Sequence, residues 1–513
     1  MELAELIGLR VTVQGMLQVI CLTSVAYWII WIIYTRFFHP LARFPGPFWA
    51  SVSRAWIVSS VAGGDPHGPQ RLLHAQHGPI VRIAPNELAI SDPDAIKVIY
   101  GVNSGFVKSD FYLFFRAPYT RYPDHFTVMD HKVHATRRRI VNGTYTMPVV
   151  LQSESYIDTC TNLLLRKFGQ FADSGKSLDL FEWMRMYAYD VVGELYFSKM
   201  FGLMEAESDN LGVMKATDTL IPAMSMSGVM ATYVRSLFKL SGALLAEIRQ
   251  PIGALDGLAK AADIAVNAHI QNSAESTNIS SPRTDFVFKL YKLHEEQGEK
   301  LDFQIEDIKL EAFAAYFAGS DTTSIHLSST LYYIIRSPAI YGTLMNEIDQ
   351  ATNRGELSSP HLSYHEASRL PYLSACIREG ARFHPSVALT MPRDVPAAGC
   401  TIAGKFIPGG FRVGINPSVM QLDTTVFGKD ADEFNPDRWL TPDADKMNKY
   451  ILQYGAGERN CMGKNIAMCE IYKLVPELLR SYRLKLEDAD NSLQTSGLWL
   501  YKPAAMKIRI YRR

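Results

Sequence analysis

The sequence predicts a mainly α protein with a smaller β region, preceded by a hydrophobic helix able to cross a membrane. Three observations carry that expectation. Apolar positions recur with helical spacing through most of the middle of the chain. Residues Gly78 to Ile90 read instead as a strand, a turn and a second strand. From Val11 to Tyr34 the chain is nearly uncharged and apolar, with Tyr27, Trp28, Trp31 and Tyr34 gathered at one end, as at a membrane interface.

Each segment then has its reason. Glu2 and Glu5 precede the apolar run, and Arg36 and Arg43 follow it. The positive-inside rule therefore puts residues 1–10 in the lumen, 11–34 in the bilayer and the body of the chain in the cytosol. A cleaved signal peptide is the competing reading, but the span is long and no small-residue cleavage site follows it. Residues 35–49 read as a hinge, stiffened by Phe44-Pro45-Gly46-Pro47. Residues 50–513 hold everything else. Of the 513 residues 47% are apolar, enough for a large core. Lys+Arg and Asp+Glu both number 52, so no net charge draws the protein to nucleic acid. Six cysteines in so long a chain form no disulfide framework and fit a reducing compartment.

The chemistry gathers at Tyr454-Gly455-Ala456-Gly457-Glu458-Arg459-Asn460-Cys461-Met462-Gly463. Its three glycines let the backbone turn tightly and a flat object come close. A helical pattern (Ile466, Ala467, Met468, Ile471, Leu474, Val475, Leu478) begins directly after. Cys461 therefore sits where free N–H groups and the positive end of a helix dipole stabilise a thiolate. Arg459 adds a cation able to pair with a carboxylate of whatever is bound. Zinc would want further Cys or His close by, and none stand there. One thiolate in a loop shaped for a planar ligand points to axial ligation of haem iron. The plainer alternative is a buried cysteine in a turn.

This segment resembles the haem-binding loop of the cytochrome P450 superfamily, Phe-x-x-Gly-x-Arg-x-Cys-x-Gly, with Tyr454 in place of the usual Phe. Tyr keeps the aromatic body but brings a hydroxyl that needs a partner. Other motifs follow in family order between residues 44 and 463. Ala318-Gly319-Ser320-Asp321-Thr322-Thr323 interrupts a helical run from Asp307 to Arg336 and is similar to the family's Ala-Gly-x-Asp/Glu-Thr motif. The resemblance implies a local widening in which Thr322 and Asp321 handle protons; close packing of another backbone is the other reason for Gly319. Glu379 and Arg382, on one helix face, resemble with Arg438 the family's Glu-Arg-Arg structural triad behind the haem. His134 and Arg138 match a Trp-x-x-x-Arg pair facing a haem propionate, with His for Trp. The alternative there is a solvated basic face that docks an acidic redox partner.

The same resemblance gives Arg393 a propionate and adds Tyr454 and Gly455 to the haem contacts. Val387, Ala388, Leu389, Thr390, Leu498 and Trp499 would face the substrate, or else are plain β core. The Met-rich stretch Ala223 to Met230 is equally a flexible roof or ordinary core. Asn272 to Arg283 reads as a connector, and the sequons at Asn142 and Asn278 go unused in a cytosolic body.

The implied whole is a cytochrome P450 fold holding haem b between two helices, with residues 50–513 as the haem-thiolate catalytic domain. Phe37-Phe38-His39-Pro40-Leu41 and Lys108-Ser109-Asp110-Phe111-Tyr112 are similar to fungal microsomal members of the pisatin demethylase type. The activity so implied is monooxygenation of a lipophilic specialised metabolite, such as a terpenoid, alkaloid or polyketide. O2 and electrons from NADPH, passed on by a cytochrome P450 reductase, would drive it at the endoplasmic reticulum membrane, crossed once. A haem-thiolate isomerase or dehydratase needing no external electrons is the first alternative; intact Gly319, Asp321 and Thr322 argue against it. A non-catalytic membrane haem protein is the second, and the complete motif set argues against that.

Overall fold

The computed structural model describes residues 13–116, 120–235, parts of 260–271, 284–488 and 492–513. Residues 1–10, expected to be lumenal, residues 11–12, expected to begin the membrane span, the expected connector Asn272–Arg283 and the sequon at Asn278 lie outside them.

Helix α1 (Val13–Ile33) continues into a single π-turn, Tyr34–Phe38. Gln14–Phe38 has a mean hydropathy of 2.0, and its most apolar 18-residue stretch is not buried in the protein, so it is long and apolar enough to cross a membrane. The stretch expected as a hinge is firmly packed. Arg82, fully buried, donates to the carbonyls of Thr35 (2.9 Å) and Pro85 (2.7 Å), and its own N–H reaches the Pro45 carbonyl at 2.7 Å. A Cβ on Gly46 would stand 2.2 Å from the Arg82 carbonyl oxygen, which explains a glycine between two prolines.

Strands β1 (Ile80–Ala84) and β2 (Glu87–Ile90) pair antiparallel, as the sequence indicates. With β3 (Val107–Lys108), β4 (Arg393–Asp394) and β5 (Arg412–Ile415) they form a sheet ordered β1-β2-β5-β4-β3. The register sets Lys108 directly opposite Arg393.

Seven longer helices build the rest of the framework around the site. They are α2 (His131–Val141), α3 (Glu154–Ser174), α4 (Leu180–Phe197), α5 (Val213–Val229), α6 (Ile305–Arg336), α7 (Pro371–Phe383) and α8 (Lys464–Ser481). Helix α4 is apolar nearly all round and almost wholly buried, as a core helix should be. It lies along α6. A capping box between Gln304 and Asp307 starts α6. That helix then runs to Arg336 without a break, so the expected interruption at Gly319 is absent. A Cβ on Gly319 would meet Val192 of α4 at 3.2 Å, so close packing explains the glycine. After α8 come β6 (Tyr482–Leu486), the hairpin β7 (Thr495–Gly497) with β8 (Tyr501–Pro503), and β9 (Lys507–Arg512), which pairs with β6. The hairpin tip returns to the centre, where the Ala388 N–H donates to the Trp499 carbonyl at 3.1 Å.

Candidate active site

The loop before α8 is shaped by its glycines. Gly455 and Gly457 have φ of +67° and +64°, in the left-handed region, and a Cβ on Gly457 would collide with the Tyr100 carbonyl. The Cys461 N–H donates to the Tyr454 carbonyl at 2.8 Å, closing the turn. Cys461 is open to the cleft while the body of the protein surrounds it. That surrounding pushes its thiol up; the N–H groups of Gly463 and Lys464, at the start of α8, and the Arg138 cation pull back toward a thiolate. Tyr454 finds the partner its hydroxyl needs. His326 on α6 has Nε2 3.0 Å from the Ile377 carbonyl, so that nitrogen carries the proton, and Nδ1 accepts from Tyr454 at 3.4 Å. Burial and the nearby Cys461 push the Tyr454 phenol up, so it stays protonated.

Around this loop stand basic side chains that pair with no carboxylate among the described residues. Arg459 donates to the carbonyls of Val128 (2.6 Å) and Met129 (2.9 Å), and its Nε is buried without a partner among the described residues. Arg138 reaches the backbone and side-chain oxygens of Asn460. Arg393 donates to the Tyr112 hydroxyl at 2.7 Å. Lys108 donates to the Phe126 carbonyl and lies 4.4 Å over the Tyr112 ring. His134, 2% exposed, has an Nε2 with no partner among the described residues. Their mutual effect is visible. Burial, and then the Arg393 cation, bring Lys108 far below its usual range and Arg459 to about 10. Burial and Arg459 lower His134 to about 3. Like charges directly opposite on adjacent strands destabilise a sheet, yet Lys108 and Arg393 occupy such a pair.

The two remaining motif groups fall at different depths. Glu379 accepts from Arg382 Nη2 at 2.6 Å and Nε at 2.8 Å, from Arg438 Nε at 3.2 Å and from Trp439 Nε1 at 2.8 Å, all buried. Every residue from Ser320 to Tyr332 on α6 is buried except Thr322. The Thr322 hydroxyl donates to the Ala318 carbonyl at 2.8 Å, and its carbonyl accepts from Ser386 Oγ at 2.8 Å. Asp321 points elsewhere, into a pair of cations, Arg185 at 2.9 Å and Lys502 at 2.6 Å. Of the expected substrate-facing residues, Val387 bridges to Leu500 beside Trp499, and Leu389 is buried next to them. The Thr390 hydroxyl is instead turned to Gln70 at 3.2 Å, in the interior. Trp499 stands among Phe111, Phe115 and Phe126, with ring centroids 5.2, 5.8 and 6.0 Å away, and Leu498 is partly buried against the same core.

Lys108, Arg185 and Lys502 escaped the sequence reading as site residues. The signal for one of them was legible: Arg185 stands inside Trp183-Met184-Arg185-Met186-Tyr187, a lone cation in an apolar run, whereas Lys108 is followed by Ser109 and Asp110. Lys108 and Lys502 gave no such sign.

Fold and site together define a class of protein: a largely helical one in which a single thiol and a group of basic side chains gather around the loop before α8. The model of the cytochrome P450 family matches residues 44–508. Cytochrome P450 monooxygenase gsfF of Penicillium aethiopicum is 38% identical over 488 residues, 94% of this chain and 96% of its own. Pisatin demethylase of Fusarium vanettenii is 32% identical over 492 residues, 95% and 94% of the two chains. Cytochrome P450 monooxygenase cicH of Emericella nidulans is 32% identical over 483 residues, 92% and 94%. The chain belongs to the cytochrome P450 family and is a monooxygenase.

Proposed function

We propose that this monooxygenase oxidises a lipophilic specialised metabolite, of terpenoid, alkaloid or polyketide type, with O2 and electrons from NADPH delivered by a flavoprotein reductase. In this reading α1 crosses the endoplasmic reticulum membrane once, residues 35–49 lead out of it and residues 50–513 work in the cytosol. The observation that carries the site assignment is the face-to-face pair Lys108 and Arg393, ringed by His134, Arg138 and Arg459. Burying several cations together is costly unless an anion joins them. The two propionates of haem b supply that anion, and the unpartnered nitrogens of His134 and Arg459 are free to receive them.

Cys461 would be the axial ligand, held by the turn from Tyr454 and by the N–H groups of Gly463 and Lys464. Haem bound there supplies the oxygen-activating iron, which an electron-donating thiolate favours. Lys108, His134, Arg138, Arg393 and Arg459 would fix the cofactor's orientation. Glu379, Arg382 and Arg438 would support the fold behind it and take no part in the chemistry. Thr322, the open position on a buried stretch of α6, would hold a proton-bearing water at its hydroxyl, and Asp321 would feed it. Val387, Leu389, Leu498 and Trp499 would exclude water from the substrate side.

The full-length protein with reductase, incubated with extract of a strain lacking it, tests the reading. Oxidised product should form only when NADPH and reductase are both present. Product formed without them would favour the isomerase or dehydratase.

A further inference from the structure

Thr35, in the π-turn that ends α1, has a carbonyl to which its own chain brings no donor. The His39 N–H, which a regular α-helix would offer it, goes one residue back to the Tyr34 carbonyl at 2.8 Å. The next N–H is missing, because residue 40 is a proline. Arg82 of β1 fills the gap from outside, donating from Nη1 to the Thr35 carbonyl at 2.9 Å. Its Nη2 donates to the Pro85 carbonyl at 2.7 Å and to His39 Nδ1 at 3.1 Å. The Leu41 N–H reaches the same ring nitrogen, so His39 is neutral; burial, and then the Arg82 cation, bring it down to about 4.

Arg82 is 2% exposed, and among the described residues no carboxylate pairs with it. A buried cation without an anion is costly, so its presence wants a reason. The end of α1 supplies one. A helix C-terminus has carbonyls without partners and carries about half a negative charge, which favours a cation there. Here the cation comes from a strand 47 positions further along the chain. The backbone of Arg82 is committed as well, its N–H to the Pro45 carbonyl and its carbonyl against Gly46. One residue thus holds the helix end, the turn at His39 and the Pro45-Gly46 bend. A second tie runs parallel to it: Trp31 Nε1, on α1, donates to the Val52 carbonyl at 2.8 Å.

We propose that Arg82 joins α1 to the body of the enzyme as one rigid piece and so sets the angle at which that body meets the bilayer. This rests on the reading of α1 as a helix that crosses a membrane. Arg82 acts through α1 and is a positioning residue. Its consequence is for electron delivery. A body swinging on a loose tether presents itself to a membrane-bound reductase in many orientations, whereas a stiff connection of fixed geometry raises the effective concentration of the productive one. The residue type matters too. A planar guanidinium reaches the Thr35, Pro85 and His39 acceptors in fixed directions, which the point charge of a lysine cannot do.

The test uses the full-length, haem-loaded protein in phosphatidylcholine nanodiscs, where polarised absorption of aligned discs reports the tilt of the haem plane. Wild type should show strong dichroism. Arg82→Met and Arg82→Lys should keep the haem content and the carbon monoxide band, float with the discs as wild type does, and lose most of the dichroism. With reductase in the same disc, product formation should fall in both variants. In detergent micelles, where no bilayer orients the partners, it should match wild type. An arginine that serves only the packing of β1 would depress turnover in micelles as well, and that result overturns the proposal. If both variants lose their haem, His39→Ala decides, because it removes one acceptor of Arg82 and leaves β1 intact. It should lose part of the dichroism, and unchanged dichroism there overturns the proposal. So does wild-type dichroism in either Arg82 variant that keeps its haem, or weak dichroism in wild type itself; the membrane reading then still stands. Wild-type protein that fails to float with the discs removes both.

Discussion

Cys461 and Cys469 show how position decides what a thiol can do. Both lie near the start of α8, and burial pushes both thiols up. Only Cys461 has N–H groups and an arginine set against that push; Cys469 is sealed in the core and faces the carboxylate of Glu154. Cys461→Ala should therefore abolish the absorption band that reduced protein with carbon monoxide shows when a thiolate binds the iron. Cys469→Ala should keep it. A band that survives in the first variant removes Cys461 as ligand. At this scale the sequence was most informative where chemistry needs a fixed spacing, as in the cysteine loop. It was least informative for Lys108, whose meaning depends on a partner, Arg393, that only the sheet register brings opposite.

Among elements, α7 makes the clearest case for motif residues that support structure. Its Glu379 is the shared acceptor for Arg382, Arg438, the Trp439 indole and the Asn435 N–H, and it ties the helix to the loop around residues 430–440. Arg382 adds bonds to the carbonyls of Gln421, Ala431 and Glu433. Removing one partner from such a buried pair leaves a charge uncompensated, at a cost of about 3–5 kcal/mol. Glu379→Ala should accordingly lower the denaturant midpoint sharply and reduce haem content, whereas a stable, fully loaded variant would show that the triad is dispensable. Spacing in the sequence placed Glu379 and Arg382 on one face; it gave no depth. The mid-helix glycine also suggested an interruption in α6; the helix is continuous there, and Gly319 lies close against Val192 of α4.

For the molecule as a whole, buried neutral histidines link stability to acidity. His384 donates to the Tyr501 carbonyl at 2.8 Å and stacks on the Tyr501 ring at 4.1 Å, joining the end of α7 to the β7–β8 hairpin. Burial lowers its pKa from 6.5 to about 4. Between those values the unfolded chain binds a proton that the folded one does not. Its contribution is therefore complete above 6.5 and is lost as the pH falls toward about 4. The displacement is worth on the order of 3 kcal/mol. His384→Gln keeps a donor for Tyr501 but cannot titrate, so its urea midpoint should fall less steeply than that of wild type across this window. Equal slopes would mean that His384 is not buried neutral.

By itself the sequence determined the apolar span before the body, the mainly helical plan with its β1–β2 hairpin, and the cysteine loop. These are local: periodicity, turn chemistry and the spacing of a few residues are written along the chain, and the physics that reads them acts over a few positions. The tertiary structure alone decided which charges meet. Arg185, Asp218, Asp321 and Lys502 come from four separate elements, and Lys108 meets Arg393 although 285 positions separate them in the chain. Coulomb interactions depend on distance in space and on burial, and neither is encoded at the position of any one residue.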